Sequence, residues 1–101
     1  MRTGTAFNGD VRIHFDAFGD PNHPTLLLVN GLGSQCINYQ EAWCEMFAAE
    51  GLQVVRYDNR DVGLSSHLPD AEYTLTDMAA DGMAVLDTLG VQRAHVMGLS
   101  M

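Results

Sequence analysis

The chain has 101 residues, enough for one small domain with a buried core. Its five basic residues, all arginine, stand against thirteen acidic ones, and the formal charge of −8 leaves no basic patch to displace the counterions of a nucleic acid. The composition is 47% hydrophobic and 18% charged, with no low-complexity tract and no apolar run near the length of about 18 residues that a membrane helix needs. The opening Met1-Arg-Thr-Gly-Thr has no apolar segment of the kind a secretory leader carries, so neither secretion nor membrane spanning is expected. Cys36 and Cys44 have no Cys-x-x-Cys spacing and no histidine near them in sequence; they read as two free thiols of a reducing cytoplasm. The four histidines (His14, His23, His67 and His95) are scattered and suggest no metal-ligand cluster.

In chain order, residues 3–7 and Val11–Phe18 read as two strands around Asn8-Gly9, the best hairpin signal present. In the second, Val11, Ile13, Phe15 and Ala17 alternate with Arg12, His14 and Asp16, which predicts one buried face and a wet face carrying His14. Gly19-Asp-Pro-Asn-His-Pro24 is a loop, and Thr25–Val29 is continuously apolar, as a strand covered on both faces should be. After the glycine-containing Asn30-Gly31-Leu32-Gly33-Ser34, a helix is expected over 39–50 with Asn38 as N-cap and Gly51 as its stop. Tyr39, Trp43, Met46 and Phe47 would form its apolar stripe.

Residues 52–57 read as another buried strand, followed by Asp58-Asn-Arg-Asp-Val-Gly-Leu-Ser65 and a loop through Pro69. Thr74 and Asp77 should cap a second helix that ends at Gly90, with Leu75, Met78, Ala79, Met83, Leu86 and Leu89 inward and Asp77 and Asp81 outward. A short strand over 94–97 then leads into Gly98-Leu99-Ser100. A hairpin followed by β-α-β-α-β predicts an α/β class with a mostly parallel sheet and two helices.

A strand ending in Gly-x-Ser is the first half of a nucleophile elbow, in which a sharp turn lifts a serine hydroxyl above the sheet; a Cβ at Gly98 is expected to clash there. Gly31-Leu32-Gly33 after a buried strand, with Asp58 ending the next, also allows a dinucleotide-binding reading, although Cys36 occupies the third glycine position of that fingerprint. Asp58, Arg60 and Asp61 could form a metal or acid–base site, but are read as tying down their loop by mutual hydrogen bonds.

Taken together, Asn30-Gly31-Leu32-Gly33, Asp58 to Ser65 and Met97-Gly-Leu-Ser-Met101, each after a strand, resemble the N-terminal half of an α/β-hydrolase. Within that superfamily the chain is most similar to the anthracycline (aclacinomycin) methylesterase-like serine esterases, from the hairpin to Met101. The resemblance implies that residues 1–101 are the N-terminal part of a single α/β-hydrolase domain, cut at the nucleophile elbow. It further implies that Ser100 is the nucleophile and that the backbone N–H groups of Leu32 and Met101 form the oxyanion hole. Most members carry His-Gly where this chain has Asn30-Gly31, and Asp61 replaces the first glycine of the usual Asp-x-Arg-Gly-x-Gly-x-Ser run.

The acid and histidine of the triad follow the nucleophile in that family, and no upstream residue substitutes for them. His95 is read as a packed strand residue and His67 as an exposed loop residue. The expected protein is therefore a cytoplasmic carboxylic-ester hydrolase acting on a small-molecule ester. It would need no cofactor and no metal, and would have no nucleic-acid or membrane partner. A C–C bond hydrolase, a cofactor-free perhydrolase and an inactive truncated product are the rival expectations. A serine at the elbow speaks against the dehalogenases and epoxide hydrolases of the same fold, which use an aspartate. Without the helix and strands expected beyond Ser100, the last strand would be an apolar, aggregation-prone edge and the isolated chain marginally stable.

Overall fold

A computed structural model of the chain describes residues 1–31, 35–68 and 72–98. They form strands β1 (Arg2–Asn8), β2 (Val11–Phe18), β3 (Thr25–Val29), β4 (Gln53–Tyr57) and β5 (Ala94–Gly98), with helices α1 (Glu41–Ala49) and α2 (Leu75–Thr88). The sheet order is β1-β2-β4-β3-β5; β1 and β2 run antiparallel at one side, and β4, β3 and β5 are parallel to one another. Adjacent residues of the inner strands point to opposite faces. Leu27 and Val55 pack with Ile13, Phe15 and the α2 residues Val85 and Leu86, whereas Leu28 and Val54 pack with Phe18, Tyr39 and the α1 residue Cys44. Thus each helix covers one face, as the predicted α/β class requires.

The hairpin is shifted by one residue from its expected centre. Asn8 pairs with Val11, so the two loop residues are Gly9 and Asp10, and Gly9 supplies the positive φ of 59° that the first turn position demands. Helix α1 starts later than expected. Asn38 belongs to a short 3₁₀ turn, Cys36–Asn38, and Gln40 occupies the N-cap without a side-chain hydrogen bond. Tyr39 stays extended and buried because both ends of it are engaged: its hydroxyl donates to the Val29 carbonyl at 2.9 Å, and its own carbonyl accepts from Arg56 Nη1 at 2.6 Å. Met46, expected in the inward stripe, is exposed.

Helix α2 carries the expected capping box. Thr74 Oγ1 accepts from the Asp77 amide at 3.2 Å, and Asp77 Oδ2 accepts from the Thr74 amide at 2.8 Å. Thr74→Ala removes one of the two bonds and is expected to lower stability by about 1 kcal/mol, read from the denaturant midpoint. The inward and outward faces of α2 differ from the pattern in sequence. Asp81 is fully buried, while Leu75 and Met83 are exposed and line an apolar groove with Val29, Leu86 and Val96. Strand β5 pairs only with β3 among the described residues and is therefore the expected apolar edge, with Val96 exposed. His95 is exposed as well and is not the packed residue the sequence suggested. No helix of the described residues is long and apolar enough to cross a membrane.

Candidate active site

The parallel strands β4, β3 and β5 deliver their following segments to one edge of the sheet, where ligands bind in open α/β folds. In the β3–β5 register Val29 lies opposite Gly98. The described chain therefore leaves both strands at the same level, after Val29 on one and Gly98 on the other. Leu32, Ser100 and Met101 themselves lie outside the described residues. Among the described residues a Cβ on Gly98 would meet no atom within 4 Å, and the turn residues expected to crowd this glycine lie outside the described residues.

Asn30 is buried and braces the edge. Its Nδ2 donates to the Tyr57 carbonyl at 3.3 Å, and its own carbonyl accepts from Asn59 Nδ2 at 3.3 Å. The ends of β3 and β4 are thereby joined through side-chain amides. Asp58 makes the next link: its Oδ1 accepts from the Cys36 amide at 2.7 Å and its Oδ2 from the Leu64 amide at 3.0 Å. One buried carboxylate thus holds the turn that follows residues 32–34 and the loop after β4 together.

The run from Asp58 to Ser65 is built for this scaffolding. Gly63 has a φ of 55°, and a Cβ there would stand 2.4 Å from Asp58 Oδ2, so a side chain is excluded on both counts. Asp61 also has a positive φ of 69°. Aspartate tolerates that region when its carboxylate bonds locally. Asp61 accepts from the Tyr73 hydroxyl at 2.5 Å and from the Leu68 amide, and those bonds hold its carboxyl below the usual carboxylate range. Ser65 Oγ donates to the Asp58 carbonyl at 2.6 Å and accepts from the His14 amide at 3.0 Å, lacing the loop to β2. His67 is exposed, as expected, with Nε2 at 3.1 Å from the Gly63 carbonyl.

Asp58, Arg60 and Asp61 do support the loop, but through bonds to other residues and not to one another. Arg60 reaches α2, where its Nε and Nη2 donate to Asp81 at 2.7 and 2.9 Å, and Asn8 Nδ2 donates to the same carboxylate at 2.9 Å. The Asp81 bond raises the Arg60 pKa further. The dinucleotide alternative fails on topology and on chemistry. The strand after β4 lies on the far side of β3, whereas a Rossmann half would place it beyond β4, and the Asp58 carboxylate is buried and already bonded.

Two polar clusters were missed in the sequence. Arg56 in β4 is buried and faces Asp16 directly across the β2–β4 ladder; its Nε donates to Asp16 Oδ2 at 2.9 Å. An arginine inside the apolar run Gln53–Tyr57 was the available signal, since a buried guanidinium demands an acid. His14 is mostly buried and not on a wet face: its Nε2 stands 3.3 Å from Asp16 Oδ1. Cys36 and Cys44 are both free and buried. Burial, with Asp58 and Asp16 adding to it, pushes the Cys36 thiol up to about 12, so it stays protonated and is no nucleophile.

Residues 24–101 match the sequence model of the family described as alpha/beta hydrolase fold. The chain is 37% identical over 103 aligned residues to rhodomycin D methylesterase DnrP of Streptomyces peucetius, covering all of this chain and 35% of that protein. Among solved structures, epoxide hydrolase A from Mycobacterium thermoresistibile superposes with a TM-score of 0.87 at 25% identity, over 98% of this chain and 31% of that one. The enol-lactonase from Burkholderia xenovorans LB400 gives a TM-score of 0.82 at 30% identity, over 97% of this chain and 37% of that one. The chain spans about a third of the length of the relatives it matches.

Proposed function

Because the chain belongs to the α/β-hydrolase family, we propose that it forms the N-terminal part of a serine hydrolase that cleaves a small-molecule carboxylic ester. The observation that carries this reading is the register of β3 and β5, with Val29 opposite Gly98. It brings the ends of the two strands that precede Leu32 and Ser100 in sequence level with each other, which supports a reading in which an oxyanion donor and a nucleophile meet there, as acyl transfer needs. Ser100 Oγ attacks the ester carbonyl carbon, and the carbonyl electron pair moves onto oxygen. The N–H groups of Leu32 and Met101 receive that oxyanion, each donor contributing about 3 kcal/mol of transition-state stabilisation. Collapse expels the alcohol and leaves an acyl group on Ser100, which water then removes.

The histidine that accepts the Ser100 proton, and the acid that orients it, are assigned to the part of the relatives that this chain does not span. The four histidines here support that assignment. His14 sits against Asp16, His23 near Asp20, His67 against the Gly63 carbonyl, and His95 lies five positions before Ser100 on an exposed strand. A methyl ester is the preferred substrate class, on the likeness to the methylesterase. Two free thiols favour a cytoplasmic setting. A fluorophosphonate probe applied to the full-length protein is expected to label one serine stoichiometrically, and peptide mass spectrometry should place the adduct on Ser100. Labelling at another serine, or none, would refute the assignment.

A further inference from the structure

The geometry points to a cation site on the α1 face of the sheet, formed by His14, Asp16 and Cys36 and suited to a thiophilic divalent ion of the zinc class. One nitrogen, one oxygen and one sulfur ligand atom lie within 4.8 Å of one another there. His14 Nε2 is 3.3 Å from Asp16 Oδ1, and Cys36 Sγ is 4.0 Å from Asp16 Oδ2. With metal–ligand bonds of about 2.0–2.3 Å, a tetrahedral ion separates its ligands by roughly 3.3–3.8 Å, so little movement is needed. The set arises from fold and not from sequence spacing. His14 and Asp16 are two apart on β2 and share a face, and the turn Cys36–Asn38 brings the sulfur down onto them.

The mixed ligand set selects the ion class. A thiolate and an imidazole favour zinc or cobalt over magnesium or calcium, which take oxygen shells. Asp16 lies beside the Cys36 sulfur, Asp58 Oδ1 accepts from the Cys36 amide, and the Asp16 carboxylate is held by Thr3 Oγ1 at 3.0 Å and Arg56 Nε at 2.9 Å. These bonds orient the ligand as outer-shell partners do in metal sites. The Arg56 guanidinium also repels a cation, which makes this a site of modest affinity. His14 is the entry side, with 15% of its side chain exposed, and water completes the fourth position. Binding replaces the Cys36 thiol proton, which passes to solvent, and no oxidant or reductant is involved.

The test is titration of the metal-stripped full-length protein with cobalt(II) alone, followed by zinc competition. One equivalent should produce a thiolate-to-cobalt charge-transfer absorption in the near ultraviolet, which zinc abolishes while raising the thermal midpoint. Cys36→Ser should remove the band, His14→Gln should weaken binding about tenfold or more, and Cys44→Ser should leave it unchanged. His14 reaches the surface, whereas Cys36 does not, so its variant keeps the proposal testable if Cys36→Ser folds poorly. No band in the wild type, a band unchanged in Cys36→Ser, or wild-type affinity in His14→Gln would overturn the site. All three readouts are independent of ester hydrolysis.

Discussion

Replacing Ser100 by alanine in the full-length protein is expected to lower kcat for ester hydrolysis by about 10⁴-fold or more, with KM little changed. The substitution removes the only atom proposed to bond the acyl carbon, so water must attack directly. A factor of 10⁴ corresponds to about 5.4 kcal/mol of lost transition-state stabilisation. The donors proposed at Leu32 and Met101 are backbone groups and stay in place, so some acceleration over solution should survive. Folding stability should move by no more than about 0.5 kcal/mol, since the change removes a single hydroxyl proposed to act on substrate and not to hold the core. Steady-state kinetics on a short-chain nitrophenyl ester, with a denaturation curve on the same preparation, separates the two effects. A variant that keeps wild-type kcat would remove Ser100 from the mechanism.

The largest effect on stability is expected at Asp81. It is fully buried, and it receives both Arg60 nitrogens and Asn8 Nδ2. Asp81→Leu leaves the Arg60 guanidinium buried without its counter-ion, which should cost about 3–5 kcal/mol. Arg60→Met should cost a similar amount by stranding the carboxylate. The double variant should recover most of the loss, because replacing both charges removes both desolvation penalties. Urea denaturation of the four proteins checks this as a double-mutant cycle. Losses that simply add would mean that the two charges do not sense each other.

These two sites mark the limits of reading the chain as a string. Period-two and period-3.6 patterns report how apolar a face is, and they placed every strand, both helices and the Thr74 cap. They cannot report a polar group whose partner arrives from a distant segment. Asp81 looked solvated because Asp77 shares its flank, yet Arg60, twenty-one positions earlier, meets it inside. The same blindness applies to Asp16 with Arg56 and to His14 with Cys36. Leu75 and Met83 erred in the other direction. Their spacing demanded a covered face, and among the described residues they remain exposed at the rim of an apolar groove. The motif residues were more legible, because Gly63, Asp61 and Ser65 answer to backbone geometry that a local signature records.

The strand order also sets a clock. Strand β3 sits between β4 and β5, and both follow it in the chain, while β2, made earlier, pairs with β4 and not with β3. As the protein is synthesised, Thr-Leu-Leu-Leu-Val therefore emerges with both hydrogen-bonding edges open, and its nearer partner is complete only once residue 57 has been added. The residues numbered 30 to 57 are twenty-eight, which at about 5–20 residues per second means roughly one to six seconds of exposure. A short, uncharged, β-prone run is the kind of segment that recruits a second chain during such a wait. Pro21 and Pro24 before it and the Asn30-Gly31 pair after it interrupt the run at both ends. These flanking residues keep the exposed β-prone run short until β4 arrives.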